Sequence, residues 1–378
     1  MSAEDQPNIV VDVGSGSIKA GFTSDDAPRA VVPSVIGRAK HSRLEGLSLE
    51  SQNSMMGDQA ISSRGLLHLE YPMESGQIKN WDAFESLLQF TFTNELRTDV
   101  SEAKVLFSEP SLNSLSQREK LTQIMFENHS VQAMYMYNQC ILSLFASGRA
   151  CGMVLDVGEG VCQTVPIYEG FVLKRGISRY SLAGRDINEH LALLLRERGW
   201  SFQTPSQMES VRSIKEQLGF VSLDYEADLR RSRESSALET VYELPDGEII
   251  TLASERFRCT EALFNPSLLE IEAPGLHDIV HNSITRCAID LRSMLRTNIL
   301  LSGGSTMFNN LPERLRSEVK NLCPFSQVVN VVAPIDRKYS TWIGGRLVAS
   351  LSTFQSTWIT KDQYDECGPN IATQGRCL

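Results

Sequence analysis

The stretch Ile9–Phe22, IVVDVGSGSIKAGF, is an apolar run that reaches Asp12-Val13, turns through Gly14-Ser15-Gly16 and resumes as a second apolar run. The pattern returns at Val154–Phe171, VLDVGEGVCQTVPIYEGF, where Asp156-Val157 precedes Gly158-Glu159-Gly160. Each copy reads as a buried strand, a tight glycine turn and another strand. A Gly-x-Gly turn after a buried strand exposes backbone N–H groups that a side chain would otherwise screen, and such a nest favours a phosphate anion. One copy is an ordinary tight turn. Two in register, each led by an aspartate, predict a clamp on one phosphate chain. Carboxylates beside phosphates repel them unless a cation intervenes, so Asp12 and Asp156 imply Mg²⁺, held through water. Lys19, on the strand after the first turn, can neutralise phosphate oxygens.

Outward from these turns, strands and helices interleave, which predicts the α/β class. NSLSQREKLTQIMFEN carries Leu121, Ile124 and Met125 at helical spacing. DINEHLALLLRERG places Ile187, Leu191, Leu194 and Leu195 on one face, and Gly199 can end that helix. In TPSQMESVRSIKEQLG, Thr204 is the N-cap, Pro205 the first helical residue, Gln207 completes a capping box and Gly219 is the stop. Lys215 and Glu216, mid-helix, would by default be a solvated face. YELPDGEIITL has Pro-Asp-Gly between β-prone runs, a hairpin signal. NILLSGGSTMF reads as a strand, a Gly-Gly turn and a helix start. Its Ser302–Thr306 segment suits either a plain turn or close approach of a nucleoside or phosphate. Residues 39–56 are polar and read as a surface loop.

The chain has 378 residues, 42% of them apolar and 22% charged, enough for two ordinary domains or one two-lobed domain. A net charge of −10 argues against a nucleic-acid grip by bulk electrostatics. The eight cysteines form no C-x-x-C pair and no disulfide or zinc framework, so reduced thiols are expected. The polar, acidic start MSAEDQPN does not read as a signal peptide. No apolar run suits a membrane span; the best, residues 141–155, is broken by Arg149.

Taken together, these residues resemble the actin and actin-related family. The likeness is colinear from about Ile9 to the C-terminus and includes DDAPRAVVPSVIGR, REKLTQIMFE, LSLFASGR, TVPIYEGF, YELPDGEIIT, ERFRCTEALF, NILLSGGSTMF and RKYSTWIGGRLVASLSTFQSTWI. It implies two similar α/β lobes around a nucleotide cleft, in four subdomains. Subdomain 1 would take residues 1–33, 71–146 and 338–378, and subdomain 2 residues 34–70. Subdomain 3 would take 147–182 and 271–337, and subdomain 4 residues 183–270. The implied cofactor is ATP or ADP with Mg²⁺ or Ca²⁺. By the same resemblance, Gly14, Ser15, Gly16 and Lys19 form the first phosphate loop, and Gly158, Glu159, Gly160 and Val161 the second. Asp12, Asp156 and Gln139 would order the metal's water shell. Gly184, Arg212, Lys215, Glu216, Gly304, Met307, Phe308 and Lys338 would hold ribose and adenine.

Departures from the family pattern carry the functional expectations. Conventional actin has a histidine at the position of Gln163 that helps organise the attacking water. Glutamine can orient water but cannot take a proton near neutral pH. Val13 and Val157 replace polar residues beside the phosphates, and Glu159 is one methylene longer than its counterpart. The loop 41–56 differs in length and charge from the DNase-binding loop and has Met55 in place of a tyrosine. Glu270 replaces a glycine in the inter-strand plug, Ser75 the histidine that actin methylates, Thr357 a methionine and Arg346 a serine. Ile343, Leu347 and Leu351 keep an apolar target-binding cleft for actin-binding-type or complex-specific proteins.

The resulting expectation is a divergent actin-like subunit of a filament or of a specific assembly, such as an axonemal dynein-type or dynactin-like complex, with slow ATP hydrolysis. It would contact itself or conventional actin, bind no nucleic acid, insert in no membrane, and reside in the cytoplasm and cytoskeleton, the axoneme included, ahead of the nucleus. A conventional polymerising actin is the alternative, and a sugar kinase of the same superfamily the remote one.

Overall fold

A computed structural model describes residues 8–39, 54–324 and 326–373. The chain divides into two compact units. The first comprises residues 1–151, 167–172 and 334–378, and the second residues 152–166 and 173–333.

The first unit is built on a six-stranded sheet in the order Ile359–Thr360, Ala133–Asn138, Lys104–Glu109, Asn8–Val13, Ser17–Phe22, Ala30–Pro33. Its three central strands are mutually parallel and the rest antiparallel. The central strands read as continuous apolar runs because they are covered on both faces. Helix Ser340–Ala349 seats tightly on this sheet. A Cβ at Gly344 would overlap the Leu142 carbonyl of helix Gln139–Ala146, and one at Gly345 would come within 2.7 Å of Val10. The fully buried Trp342 fixes the same helix by donating from Nε1 to the Val10 carbonyl at 3.1 Å.

The second unit holds the strands Cys162–Tyr168, Gly152–Val157, Ile299–Ser302 and Val331–Val332 in that order, with Ser178–Tyr180 paired to Cys162–Thr164. Residues 167 and 168 run on into a hairpin with Phe171–Val172 that belongs to the first unit. Its core is closed by helices including Gly184–Glu197, Pro205–Leu218 and Leu276–Thr285.

Local signals held where they were strongest. Thr204 caps helix Pro205–Leu218 through Gln207 in a capping box, and Gly219 ends it. Gly199, at φ +95, follows the end of helix Gly184–Glu197. Thr240–Glu243 and Ile249–Leu252 form the expected hairpin. Other expectations are corrected. The helix after Ser114 is α-helical only over Leu115–Gln123; Ile124–Asn128 is a π-turn. The helix start after Ser302 is a three-residue 3₁₀ turn, Gly304–Thr306. In the segment read as a loop, Ala39 ends strand Ile36–Ala39 and Ser54–Met56 is a strand paired with it, while residues 40–53 lie outside the described residues.

Candidate functional site

Both glycine turns are two-residue hairpin loops with the same closure. Gly14 N–H donates to Ser17 O at 3.2 Å, and Gly158 N–H to Val161 O at 2.9 Å. In each, a serine from elsewhere in the same unit braces the turn by donating to the first glycine's carbonyl. Ser34 Oγ reaches Gly14 O at 2.7 Å, and Ser305 Oγ reaches Gly158 O at 2.7 Å. With their carbonyls drawn inward, the turns keep their amides unspent. Among the described residues, no amide of Ser15, Gly16, Glu159 or Gly160 donates to the protein. Ser15 and Gly160 are buried and Gly16 and Glu159 half-buried, and amides without protein acceptors in two equivalent turns fit an anion supplied from outside the fold.

The first turn carries its own cation. Asp12 and Lys19 face each other across the ladder, so the hairpin register places their side chains on one face. Lys19 Nζ lies 2.8 Å from Asp12 Oδ2. Asp12 Oδ1 accepts from Ser108 Oγ at 2.5 Å and from Gln139 Nε2 at 3.5 Å. Gln139 also donates to the Val13 carbonyl. The structure thus gathers Asp12, Lys19 and Gln139 and adds Ser108, Ser34 and Gly76, whose N–H donates to Ser15 Oγ at 3.1 Å. In the sequence, only a hydroxyl directly after the apolar run Val105–Phe107 signalled Ser108.

The second turn is arranged alike but with different chemistry. Asp156 meets Gln163, whose Nε2 donates to Asp156 Oδ2 at 3.0 Å. Gln163 is buried. Val157 is fully buried in the second core, and Val161 is buried as well, so a hydrophobic role accounts for both side chains. Glu159 does not project a bare charge from the turn. Its carboxylate lies 3.6 Å from Lys215 Nζ and accepts from Asn188 Nδ2 at 3.0 Å. Burial alone would push its carboxyl up; the charges of Lys215, Arg212 and Arg185 outweigh that and hold it below the usual value.

Lys215 is not on a solvated face. It is buried and also donates to Gly184 O at 3.0 Å. Gly184 is required there, because a Cβ would lie 2.6 Å from both Glu159 Oε2 and Ser305 Oγ. Arg212 pairs with Glu209 and Glu216; burial would lower its pKa, but Glu159, Glu209 and Glu216 raise it. Gly303, at φ +89, lets the third turn close onto the second, since a Cβ would strike the Val157 carbonyl and Asp156. Gly304 faces open space, Met307 is 38% exposed and Phe308 is buried against Gly219. Lys338 lies in the first unit, with its Nζ 6.0 Å from the Tyr339 ring centre. Ile343 packs on the first core, while Leu347 and Leu351 are 40% and 53% exposed.

Among the described residues, no three His, Cys, Asp or Glu side chains converge as a metal cage. A divalent cation here would rely on phosphate oxygens and water for most of its shell, a habit that suits Mg²⁺. The free amides and the single carboxylates therefore fit a metal–phosphate group better than a bare ion. No helix among the described residues is long and apolar enough to cross a membrane.

The actin family model matches residues 3–377. With nearly the whole length matched and a mixed α/β fold of several sheets beneath it, the chain belongs to the actin family.

Proposed function

We propose that this actin-family chain binds ATP or ADP with Mg²⁺ through its two glycine turns and serves as a subunit of a filament or of a specific multiprotein assembly, with slow hydrolysis. One observation carries the reading: four unspent amides in two turns of the same build, each led by an aspartate. Ser15, Gly16, Glu159 and Gly160 donate to phosphate oxygens, and Lys19 adds charge beside Asp12. Lys215 and Arg212 turn the Glu159 carboxylate back into its own unit, so the second turn presents N–H groups rather than negative charge. Gly304 leaves room for ribose, Gly184 lets helix Gly184–Glu197 start close against the second turn, and Met307, Phe308 and Lys338 contribute to the base side. Bound Mg²⁺ would neutralise the phosphates and draw Asp12, Asp156 and Gln139 to its water shell.

Slow hydrolysis follows from Gln163. Its amide already serves Asp156, and it cannot accept a proton near neutral pH. The four-subdomain division belongs to the same reading, as do an assembly role in the cytoplasmic cytoskeleton and partner binding at Ile343, Leu347 and Leu351. Extraction of nucleotide from freshly purified protein tests the central claim. Near-stoichiometric ATP or ADP is expected, and a folded protein that carries none and takes up none with Mg²⁺ would refute it.

A further inference from the structure

Away from the glycine turns, the first unit contains a pocket of about 520 Å³ that includes Phe92, Arg97 and His129 in its lining. Two π-turns frame it. Thr91–Leu96 follows helix Trp81–Phe90, and Ile124–Asn128 follows helix Leu115–Gln123. Each is followed closely by a non-glycine residue in the left-handed region, Arg97 at φ 53 and Ser130 at φ 52. Helical π-turns and left-handed non-glycine residues both carry strain and concentrate where a site needs side chains aimed off the regular helix.

The lining holds unused hydrogen-bonding capacity. Among the described residues, the Arg97 guanidinium, the Gln89 amide and the Thr98 hydroxyl make no hydrogen bond or ion pair. His129 is only 8% exposed, and its Nε2 is sealed from solvent without a partner. The His129 ring packs edge-on against Phe92, which with Val100 supplies an apolar wall. Asp99 also lines the pocket, but Ser101 N–H and Oγ donate to its carboxylate. Asp99 is thus engaged by Ser101, and Glu85, beside the pocket, accepts from the lining Asn128 at 2.7 Å, so the Arg97 guanidinium is the free charge, and these neighbouring anions favour a singly charged ligand over a phosphate dianion.

We propose that this pocket binds a single carboxylate on an apolar stem, carried either by a small organic acid or by an acidic side chain of a partner protein. Arg97 grips the carboxylate as a fork. Gln89 and Thr98 donate to it, Phe92 and Val100 take the stem, and the His129 ring, which lines the pocket, reports its occupancy.

The test is NMR of the histidine rings in the full-length protein, which has six, titrated with phenylacetate. A saturable shift is expected for the signal that His129→Gln removes, with a Kd of about 1 mM for so small a ligand. Arg97→Gln should weaken binding by about tenfold or more, and phenethylamine should leave the signal unchanged. A short peptide with Leu-Glu-Phe at its centre separates the sources. Tighter binding of the peptide assigns a partner side chain, and tighter binding of phenylacetate assigns a small acid. Absence of a saturable shift with both probes would overturn the proposal, as would an unchanged Kd in a folded Arg97→Gln protein. Should that variant not fold, equal affinity of the wild-type protein for phenylacetate and uncharged phenylacetamide would overturn it instead.

Discussion

Gln163 donates from Nε2 to Asp156 at 3.0 Å, across the same seven-residue step that links Lys19 to Asp12 at 2.8 Å. The two turns are repeats in geometry, yet one aspartate is answered by an ammonium and the other by a neutral amide. That difference divides their roles. In the proposed nucleotide site Lys19 would supply charge for phosphates, whereas Gln163 would only position Asp156 and a water beside it.

Replacing Gln163 by histidine restores a proton acceptor at the site. Single-turnover phosphate release from protein loaded with ATP and Mg²⁺ should speed up by roughly 10²-fold, the lower range for general acid–base help. Equal rates in wild-type and Gln163→His protein would show that Gln163 does not limit hydrolysis.

Lys19→Met removes the cation that faces Asp12, and both side chains are largely buried. Two effects are expected. Nucleotide should be lost faster during gel filtration in the presence of Mg²⁺. The nucleotide-free protein should also be destabilised by about 3 kcal/mol, since a buried carboxylate is left without its ion-pair partner. A urea unfolding midpoint unchanged from wild type would contradict the second expectation.

The Glu159–Lys215 pair makes a pH prediction. Against burial, Lys215, Arg212 and Arg185 hold the Glu159 carboxyl below its ordinary 4.5. A depressed carboxyl stabilises the fold above its unfolded pKa, and that contribution disappears as pH falls through the folded value. Lys215→Met should therefore cost about 3 kcal/mol near pH 7, and the gap to wild type should narrow as the pH drops below about 4.5. Urea midpoints at neutral and acidic pH measure this; a gap that widens with acid would reverse the assigned sign.

Glu270 caps the 3₁₀ turn Pro266–Leu269 with φ 58 and is exposed. An L-residue pays for the left-handed conformation where glycine does not. Glu270→Gly should raise stability by up to about 1 kcal/mol, seen as a higher thermal midpoint. It also removes a carboxylate from the segment expected to act as the inter-strand plug. High-speed pelleting with ATP and Mg²⁺ should then recover more of the variant than of wild type, and unchanged pelleting would free Glu270 from any role in assembly.

Much of this was legible in the sequence because it is local. The capping box at Thr204 and Gln207, the stop at Gly199 and the hairpin around Pro245-Asp246-Gly247 each depend on a few adjacent residues. The doubled Asp-Val-Gly-x-Gly was readable for the same reason: turn length and strand register follow from glycine placement, and register alone sets Lys19 opposite Asp12. The resemblance to actin added roles to individual positions. What only the tertiary structure decided depends on residues distant in the chain. Ser34 and Ser305 turn the loop carbonyls inward, and Ser108 joins Asp12 from another strand. Lys215, a surface residue by helical pattern, is buried because Glu159 and the Gly184 carbonyl await it. The π-turns at Thr91–Leu96 and Ile124–Asn128 were equally hidden, because the preceding helices show ordinary spacing and the extra residue in each turn is set by packing across the unit. Local chemistry writes the elements, whereas the desolvation and pairing of charges are settled only when separate elements meet.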